Sequence, residues 1–456
     1  MKMNFKYVML MAATLVLGLS SCSKDDETSG SKVPTGAKSA KLSVVLVDGG
    51  SPVTYAAPSG DTDPATQEES RVVDGSLYIF DAKTDALEAV SDSLTGIQLT
   101  PGTKSVYFIG NAADAANGGG VVAPSFALGT TLTDFLDASK DGIADIEVLT
   151  QQKADPSGYY YISNVGAAGT INVAAGVTSN MTLNIGRGVA KINIEVPSTV
   201  AQPSTGKLSN TTYTIYNNPV ETYLIPHYDA NGQVQTPFYA ETAPITTSNY
   251  FNAASGLPTD GTVASYAVEN AHAAPLMGNS TYALIEGVFE PGTTVDANGT
   301  ATNYTSGDDF YRIQYIETDV NGDVHDRGFY GKFFTVAPVT GDAEYTNAEG
   351  AKPGPTFAGT VDAKVVTYTG GKCYYYLYIG DPKETDDVAK HTVERNKYYY
   401  LTINSISDCG LDALDNPTSP SGTPNIAPAT NSYLNVTFSV APWSVVGGAG
   451  GIQTGI

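Results

Sequence analysis

The chain has 456 residues, of which 47 are Gly and 29 are Tyr, and only 16% are charged. This length suits two or three domains, and the composition favours strands and turns over long surface helices. The net charge of -23, from 24 Lys plus Arg against 47 Asp plus Glu, argues against a nucleic-acid partner because phosphate binding depends on clustered basic residues.

Residues 1–22 predict a lipoprotein signal peptide. Two lysines precede the segment 7–19, an apolar run too short to span a bilayer with its flanks. Leu19-Ser20-Ser21-Cys22 follows as a lipobox, which predicts attachment of a lipid to the thiol of Cys22. The alternative is an ordinary signal peptide followed by a chance cysteine. Residues 23–38, rich in Ser, Lys, Gly and acidic side chains, are typical of a flexible linker.

A first strand is predicted at residues 41–47, and a polar stretch separates it from the next strand. This stretch, residues 48–71, contains Pro58 and Pro64 and ends at Arg71, the only arginine among the first 186 residues. Proteases bind exposed, extended backbone, so the junction predicts cleavage by an arginine-specific protease between Arg71 and Val72. Cleavage would detach the first strand, and the apolar groove left behind could be filled by a strand of another subunit.

The remaining elements predict an all-β fold of two β-sandwich domains in tandem, 39–197 and 198–456, which meet near Pro197. A strand follows the linker at 72–80, and the one helix is predicted at 131–140. Asn231-Gly232 and Asn321-Gly322 predict hairpin turns. The other predicted strands are 104–109, 159–162, 169–173, 179–183, 189–196, 211–216, 310–317, 328–335, 365–368, 373–379, 398–403 and 433–440.

No motif supports catalysis, and we predict a protein that is not an enzyme and needs no cofactor or metal. The histidines are scattered singly, and neither a nucleophile motif nor a phosphate-binding loop occurs. The run 319–323 resembles the start of a calcium loop, but its Gly is misplaced and the terminal Glu is absent, so a hairpin is favoured. Cys373 and Cys409 fit no zinc or redox spacing, and a disulfide between them stays open.

Two tyrosine runs, 374–376 and 398–400, raise the alternative of a sugar-binding protein. Consecutive residues of a strand point to opposite faces, so neither run forms one aromatic platform by itself. A sandwich with half-buried tyrosine rings accounts better for both runs.

Four segments resemble the fimbrillin family, the FimA-like and Mfa-like shaft subunits of type V pili. They are residues 186–191, 370–376, 393–403 and 440–443. The resemblance implies two transthyretin-like β-sandwiches, export as a lipoprotein, and polymerisation by donor-strand exchange after removal of the first strand. It assigns the cleavage site to Arg71 and Val72, and the discarded strand to residues 41–47.

The resemblance also places the donor strand within residues 433–456. The residues proposed to fill a neighbour's groove are Leu434, Val436, Phe438, Val440 and Trp443, of which the first four alternate towards one face. Residues 445–456 are short and Gly-rich, so the donated part of 433–456 stays open.

The implied partners are copies of the chain, accessory tip and anchor fimbrial subunits, an arginine-specific protease and, through the lipid before maturation, the membrane. The implied location is the cell outer membrane and the fimbrium. Two alternatives are a tip adhesin or anchor subunit of the same assembly, and a glycan-binding surface lipoprotein.

Overall fold

The computed structural model describes residues 34, 36–48, 69, 72–112, 123–139, 160–166, 168–253, 256–322, 324–413, 427–428 and 433–442. The predicted lipidation residue Cys22, the predicted cleavage residue Arg71 and Trp443 lie outside these ranges. Within them, no helix has the length and apolarity needed to cross a membrane.

Strands dominate the described residues, and the all-β prediction is confirmed. Helix α1 spans Leu132–Ser139, close to its predicted bounds, and two further helices span Ala343–Gly350 and Asp387–Lys390. The strands are β1 (Ala40–Asp48), β2 (Gly75–Asp81), β3 (Ala86–Ser91), β4 (Ile97–Leu99), β5 (Gly102–Gly110), β6 (Ile162–Asn164), β7 (Gly169–Val173), β8 (Thr178–Arg187), β9 (Val189–Glu195), β10 (Gly206–Tyr216), β11 (Asn218–Pro219), β12 (His227–Tyr228), β13 (Val234–Gln235), β14 (Tyr250–Phe251), β15 (Leu257–Pro258), β16 (Ser265–Val268), β17 (Tyr282–Pro291), β18 (Thr294–Val295), β19 (Ala301–Thr302), β20 (Phe310–Thr318), β21 (Val324–Phe329), β22 (Thr360–Tyr368), β23 (Lys372–Tyr378), β24 (Lys397–Ile406) and β25 (Leu434–Pro442).

The N-terminal sheet has the strand order β3-β2-β5-β6-β8-β1-β4, and β7 pairs with β5 in addition. Successive side chains of a strand point to opposite faces, and every second side chain, such as Leu77 and Ile79 of β2, points into a common core. We call this set the N-terminal core, and it includes Leu42, Ile79, Phe108, Leu183 and Ile185, all almost fully buried.

Two four-stranded sheets, β15-β10-β17-β23 and β16-β9-β24-β25, enclose a second core. This C-terminal core includes Ile192 of β9, Ile285 of β17, Tyr375 of β23 and Leu401 of β24. Strand β9 runs parallel to β24 in one of these two sheets, so the chain enters the C-terminal part of the fold before Pro197. The predicted domain division at 197/198 stays a prediction.

Several strand predictions differ from the structure. The strand predicted at 159–162 is β6, Ile162–Asn164, and neither β3 nor β16 was predicted. Strand β17, which lies between β10 and β23, was not predicted, although its residues alternate between buried and half-buried over its second half. The strand predicted at 328–335 is instead β21, Val324–Phe329, because pairing with β20 resumes directly after the turn. The hairpin predicted at Asn321-Gly322 is confirmed, and Gly322 has a φ of 86°. The backbone amide of Asn321 donates a hydrogen bond to Oδ1 of Asp319 at 2.8 Å.

Candidate functional site: the first strand and the Arg71 junction

The predicted first strand is confirmed as β1, and it occupies an interior position of the N-terminal sheet. On one side β1 pairs in parallel with β8, from Lys41 opposite Thr178 to Asp48 opposite Ile185. On the other side it pairs antiparallel with the short β4, from Ala40 opposite Leu99 to Leu42 opposite Ile97. Removing β1 would therefore unpair backbone groups on both neighbours.

Every second side chain of β1 is inserted into the N-terminal core. Ala40 and Leu42 are fully buried, Val44 is 3% exposed and Leu46 is 6% exposed, whereas Val45 on the other face is 59% exposed. Burying a Val or Leu side chain contributes about 1.5 to 3 kcal/mol. The place of β1 is thus a groove with two unpaired edges and an apolar floor, the kind of site that another extended strand could fill.

The other end of the predicted removable segment is anchored by Glu69, which is only 4% exposed. The Lys191 ammonium lies 3.1 Å from Oε1 of Glu69 and 3.2 Å from Oε2. The hydroxyl of Tyr266 donates to Oε1 at 2.5 Å, and Nε of Arg187 donates to the backbone carbonyl of Glu69 at 2.8 Å. We call Arg187, Lys191 and Tyr266 the Glu69 site.

Two of the three residues of the Glu69 site lie in a segment that carries the fimbrillin resemblance. Arg187 ends β8 and Lys191 lies on β9, both within segment 186–191. Oδ1 of Asn396, in segment 393–403, accepts from both the backbone amide and Nη1 of Arg187 at 3.1 Å. Asn396 adopts a left-handed φ of 57°, which Asn tolerates better than most residues. The two segments therefore meet at one buried polar cluster.

The residue that follows Arg71 is also fixed in the fold. Val72 is fully buried, and the amide of Val73 donates to Oδ1 of Asn111 at 2.9 Å. The sequence predicts exposed backbone at this junction, and this stays a prediction because Arg71 lies outside the described residues. The nearest described residues on each side, Glu69 and Val72, are buried. Sequence reasoning missed Glu69 because its three partners lie 118 to 197 residues further along the chain.

Gly188 provides a test of how tightly this region is packed. A Cβ placed on Gly188 would overlap the ring of Tyr161, which is fully buried. We expect Gly188→Ala to lower the free energy of unfolding by about 1 to 3 kcal/mol, since the ring has no room to retreat. Urea denaturation measures the difference. Gly350→Ala is the matched control, because nothing lies within 4 Å of a Cβ there, and an equal loss from both variants would contradict the packing argument.

The predicted donor strand lies within the chain's own C-terminal sandwich. Strand β25 pairs antiparallel with β24, from Leu434 opposite Ile406 to Pro442 opposite Lys397, and forms the edge of its sheet. Leu434 is 9% exposed, and the half-buried Val436, Phe438 and Val440 pack against the C-terminal core. The alternation predicted for these four residues is confirmed. Their donation to another subunit stays a prediction.

The remaining candidates contribute no reactive centre. The tyrosine runs divide between faces as expected, with Tyr375 and Tyr399 in the C-terminal core and Tyr374 and Tyr400 outside it. Cys373 and Cys409 are free thiols, and burial raises the pKa of Cys409 to about 11. Among the residues that the structure describes, no three His, Cys, Asp or Glu side chains are grouped to hold a metal ion.

Comparison with known proteins adds an independent observation. Residues 366–447 match the family model described as major fimbrial subunit protein type IV, fimbrillin, C-terminal. The minor fimbrium subunit Mfa1 of Porphyromonas gingivalis is 25% identical over 245 residues, which cover 47% of this chain and 44% of that protein. The match therefore spans less than half of the relative's length.

The solved structures that align with this fold have lower sequence identity to the chain than Mfa1 has. A candidate cell adhesion protein from Parabacteroides distasonis aligns at a TM-score of 0.44 and 12% identity, over 89% of this chain and 99% of that one. Another from Bacteroides eggerthii aligns at a TM-score of 0.38 and 14% identity, over 89% and 97%. Matches this remote carry no argument about the site.

Proposed function

Because this chain is a member of the fimbrillin family, we propose that it is a structural subunit of a surface fimbria and polymerises with copies of itself by donor-strand exchange. The observation that carries this proposal is the position of β1. An interior strand with four buried side chains, joined to the rest of the chain through a junction with a single arginine, is suited to removal and replacement.

The proposed maturation is hydrolysis of the bond between Arg71 and Val72. Water adds across this peptide bond, which leaves a carboxylate on Arg71 and an ammonium group on Val72. The segment that ends at Arg71 contains β1, so its departure opens the groove between β8 and β4. An arginine-specific protease is the proposed partner in this step.

The proposed filler of the groove is a segment of residues 433–456 from a neighbouring subunit. Leu434, Val436, Phe438 and Val440 present apolar side chains at every second position, as the groove requires. Among the residues that the structure describes, β25 pairs only with β24, and a strand paired on one side can leave its sheet at least cost. Trp443 is included in the proposed donor region on the family resemblance.

The proposal includes export as a lipoprotein attached through Cys22, with residence at the outer membrane and then in the fimbrium. Accessory tip and anchor subunits complete the proposed assembly. None of these steps calls for a reacting group or a cofactor, and the chain is proposed not to be an enzyme.

The most direct test is the first residue of the protein recovered from sheared surface fibres. We expect mass spectrometry of the intact subunit to show that it begins at Val72, since cleavage after Arg71 precedes polymerisation. Subunits within the fibres that begin at Cys22 and carry a lipid would contradict the proposal.

A further inference from the structure

Glu69 is held by both halves of the fold. Arg187 belongs to β8 of the N-terminal sheet, whereas Lys191 and Tyr266 belong to β9 and β16 of a C-terminal sheet. A carboxylate buried to this degree is stable only when it is paired, and these groups supply the ammonium and the hydroxyl that it needs.

We propose that Arg187, Lys191 and Tyr266 form a latch that binds Glu69 and retains the segment ending at Arg71 after the bond to Val72 has been cut. Lys191 and Tyr266 hold the carboxylate of Glu69, and Arg187 holds its backbone carbonyl. The inference rests on the proposed function, because it requires cleavage at that bond. It assigns to the Glu69 site a role in the timing of assembly, separate from cleavage and from strand exchange.

The contacts of the latch do not depend on the bond that is cut. Glu69 lies on the N-terminal side of Arg71 and its partners lie on the C-terminal side, so hydrolysis leaves each hydrogen bond and the ion pair in place. The ladder of β1 with β8 and β4 is equally unaffected. The cut segment is thus held at two places, by β1 and by Glu69, and cleavage alone does not open the groove.

The proposed donor cannot replace Glu69 in the latch. Residues 433–456 contain neither Asp nor Glu, so the segment that takes the place of β1 brings no side-chain carboxylate for Lys191. Opening of the latch is therefore not driven by competition from the donor at that site. The latch protects the apolar groove until β1 is displaced, which limits the time that the groove is exposed to solvent.

The test measures how fast the cut segment leaves. The full-length precursor is cut with an arginine-specific protease, and the N-terminal peptide that remains bound is followed by gel filtration and mass spectrometry. We compare Glu69→Gln, which removes the charge, with Tyr266→Phe, which removes one hydroxyl and keeps the ring. Glu68→Gln is the control, since it makes the same change of charge one residue earlier in the departing segment.

We expect the peptide to leave on the order of tenfold faster from Glu69→Gln, which loses the buried ion pair with Lys191. We expect it to leave several-fold faster from Tyr266→Phe, which loses a hydrogen bond to a buried carboxylate. The control is expected to release it at the wild-type rate. Release from both variants within twofold of wild type would overturn the latch alone. If Glu69→Gln does not fold, the rate of release from Tyr266→Phe is the test, and a rate within twofold of wild type overturns the latch. A precursor that is not cut after Arg71 overturns the proposed function, and the latch with it.

Discussion

A chain carrying Arg71→Ala is expected to fold, to keep its first strand and to form no polymer. The substitution removes the only arginine before Arg187, which is itself 1% exposed and therefore inaccessible to a protease in the folded chain. Strand β1 then stays covalently attached to the sheet that it completes. Polymer is measured as a ladder of detergent-resistant multimers, and the first residue of the monomer is read by mass spectrometry.

The size of this effect follows from the competition between two strands for one groove. A tethered strand occupies its site at an effective concentration on the order of millimolar. A donor from another subunit binds as a separate molecule, and it also has to replace the pairing of β1 with β8 over eight residues. We therefore expect multimers to fall below detection in this variant.

Arg71→Lys is the matched control because it retains the positive charge. An arginine-specific protease is expected to leave this variant uncut as well. Loss of polymer from both variants would therefore show that polymerisation requires an arginine at position 71 and not only a positive charge. A ladder of normal abundance from Arg71→Ala would contradict the proposed maturation.

Removing residues 433–456 is expected to give a subunit that is cut after Arg71 but does not polymerise. The deletion removes β25 and everything after it, and with it the proposed donor. Loss of β25 also uncovers part of the C-terminal core, at a cost of about 1.5 to 3 kcal/mol for Leu434 alone. Circular dichroism and gel filtration of the monomer establish that the deleted chain is folded before the ladder is interpreted.

A shorter deletion, of residues 443–456, is the matched control that identifies the donated part. It leaves β25 in place, paired with β24. Multimers from this shorter chain would assign the donor to β25, and their loss would assign it to the segment that contains Trp443. Ordinary ladders from the longer deletion would rule out donation by this end of the chain.

The sequence predicts local elements well where the spacing of apolar residues is regular, every second residue in a strand or every third to fourth in a helix. The first strand, the helix near residue 132 and the strand Gly169–Val173 are found close to their predicted positions. Each is defined by residues within a few positions of one another, so a single window of sequence contains the whole signal. The alternation of Leu434, Val436, Phe438 and Val440 was predictable for the same reason.

The Glu69 site could not be predicted in this way. In the sequence, Glu69 is one acid among several in a polar linker, and nothing near it indicates burial. Its environment is created by Lys191 and Tyr266, which the fold brings to it from more than a hundred residues away. The same limit applies to strand β9, whose sequence shows a strand but does not show that its partner is β24.

The connection between the two sandwiches has a mechanical consequence. Strand β8 ends at Arg187 and β9 begins at Val189, so Gly188 alone separates a strand of one sheet from a strand of the other. At eighteen residues, Thr178–Glu195 corresponds to about 60 Å of extended backbone. A tensile load applied to such a subunit passes from one sandwich to the other through this backbone and not through a flexible tether. A fibre built from these subunits is therefore expected to bend mainly where one subunit meets the next, and to stay stiff within each.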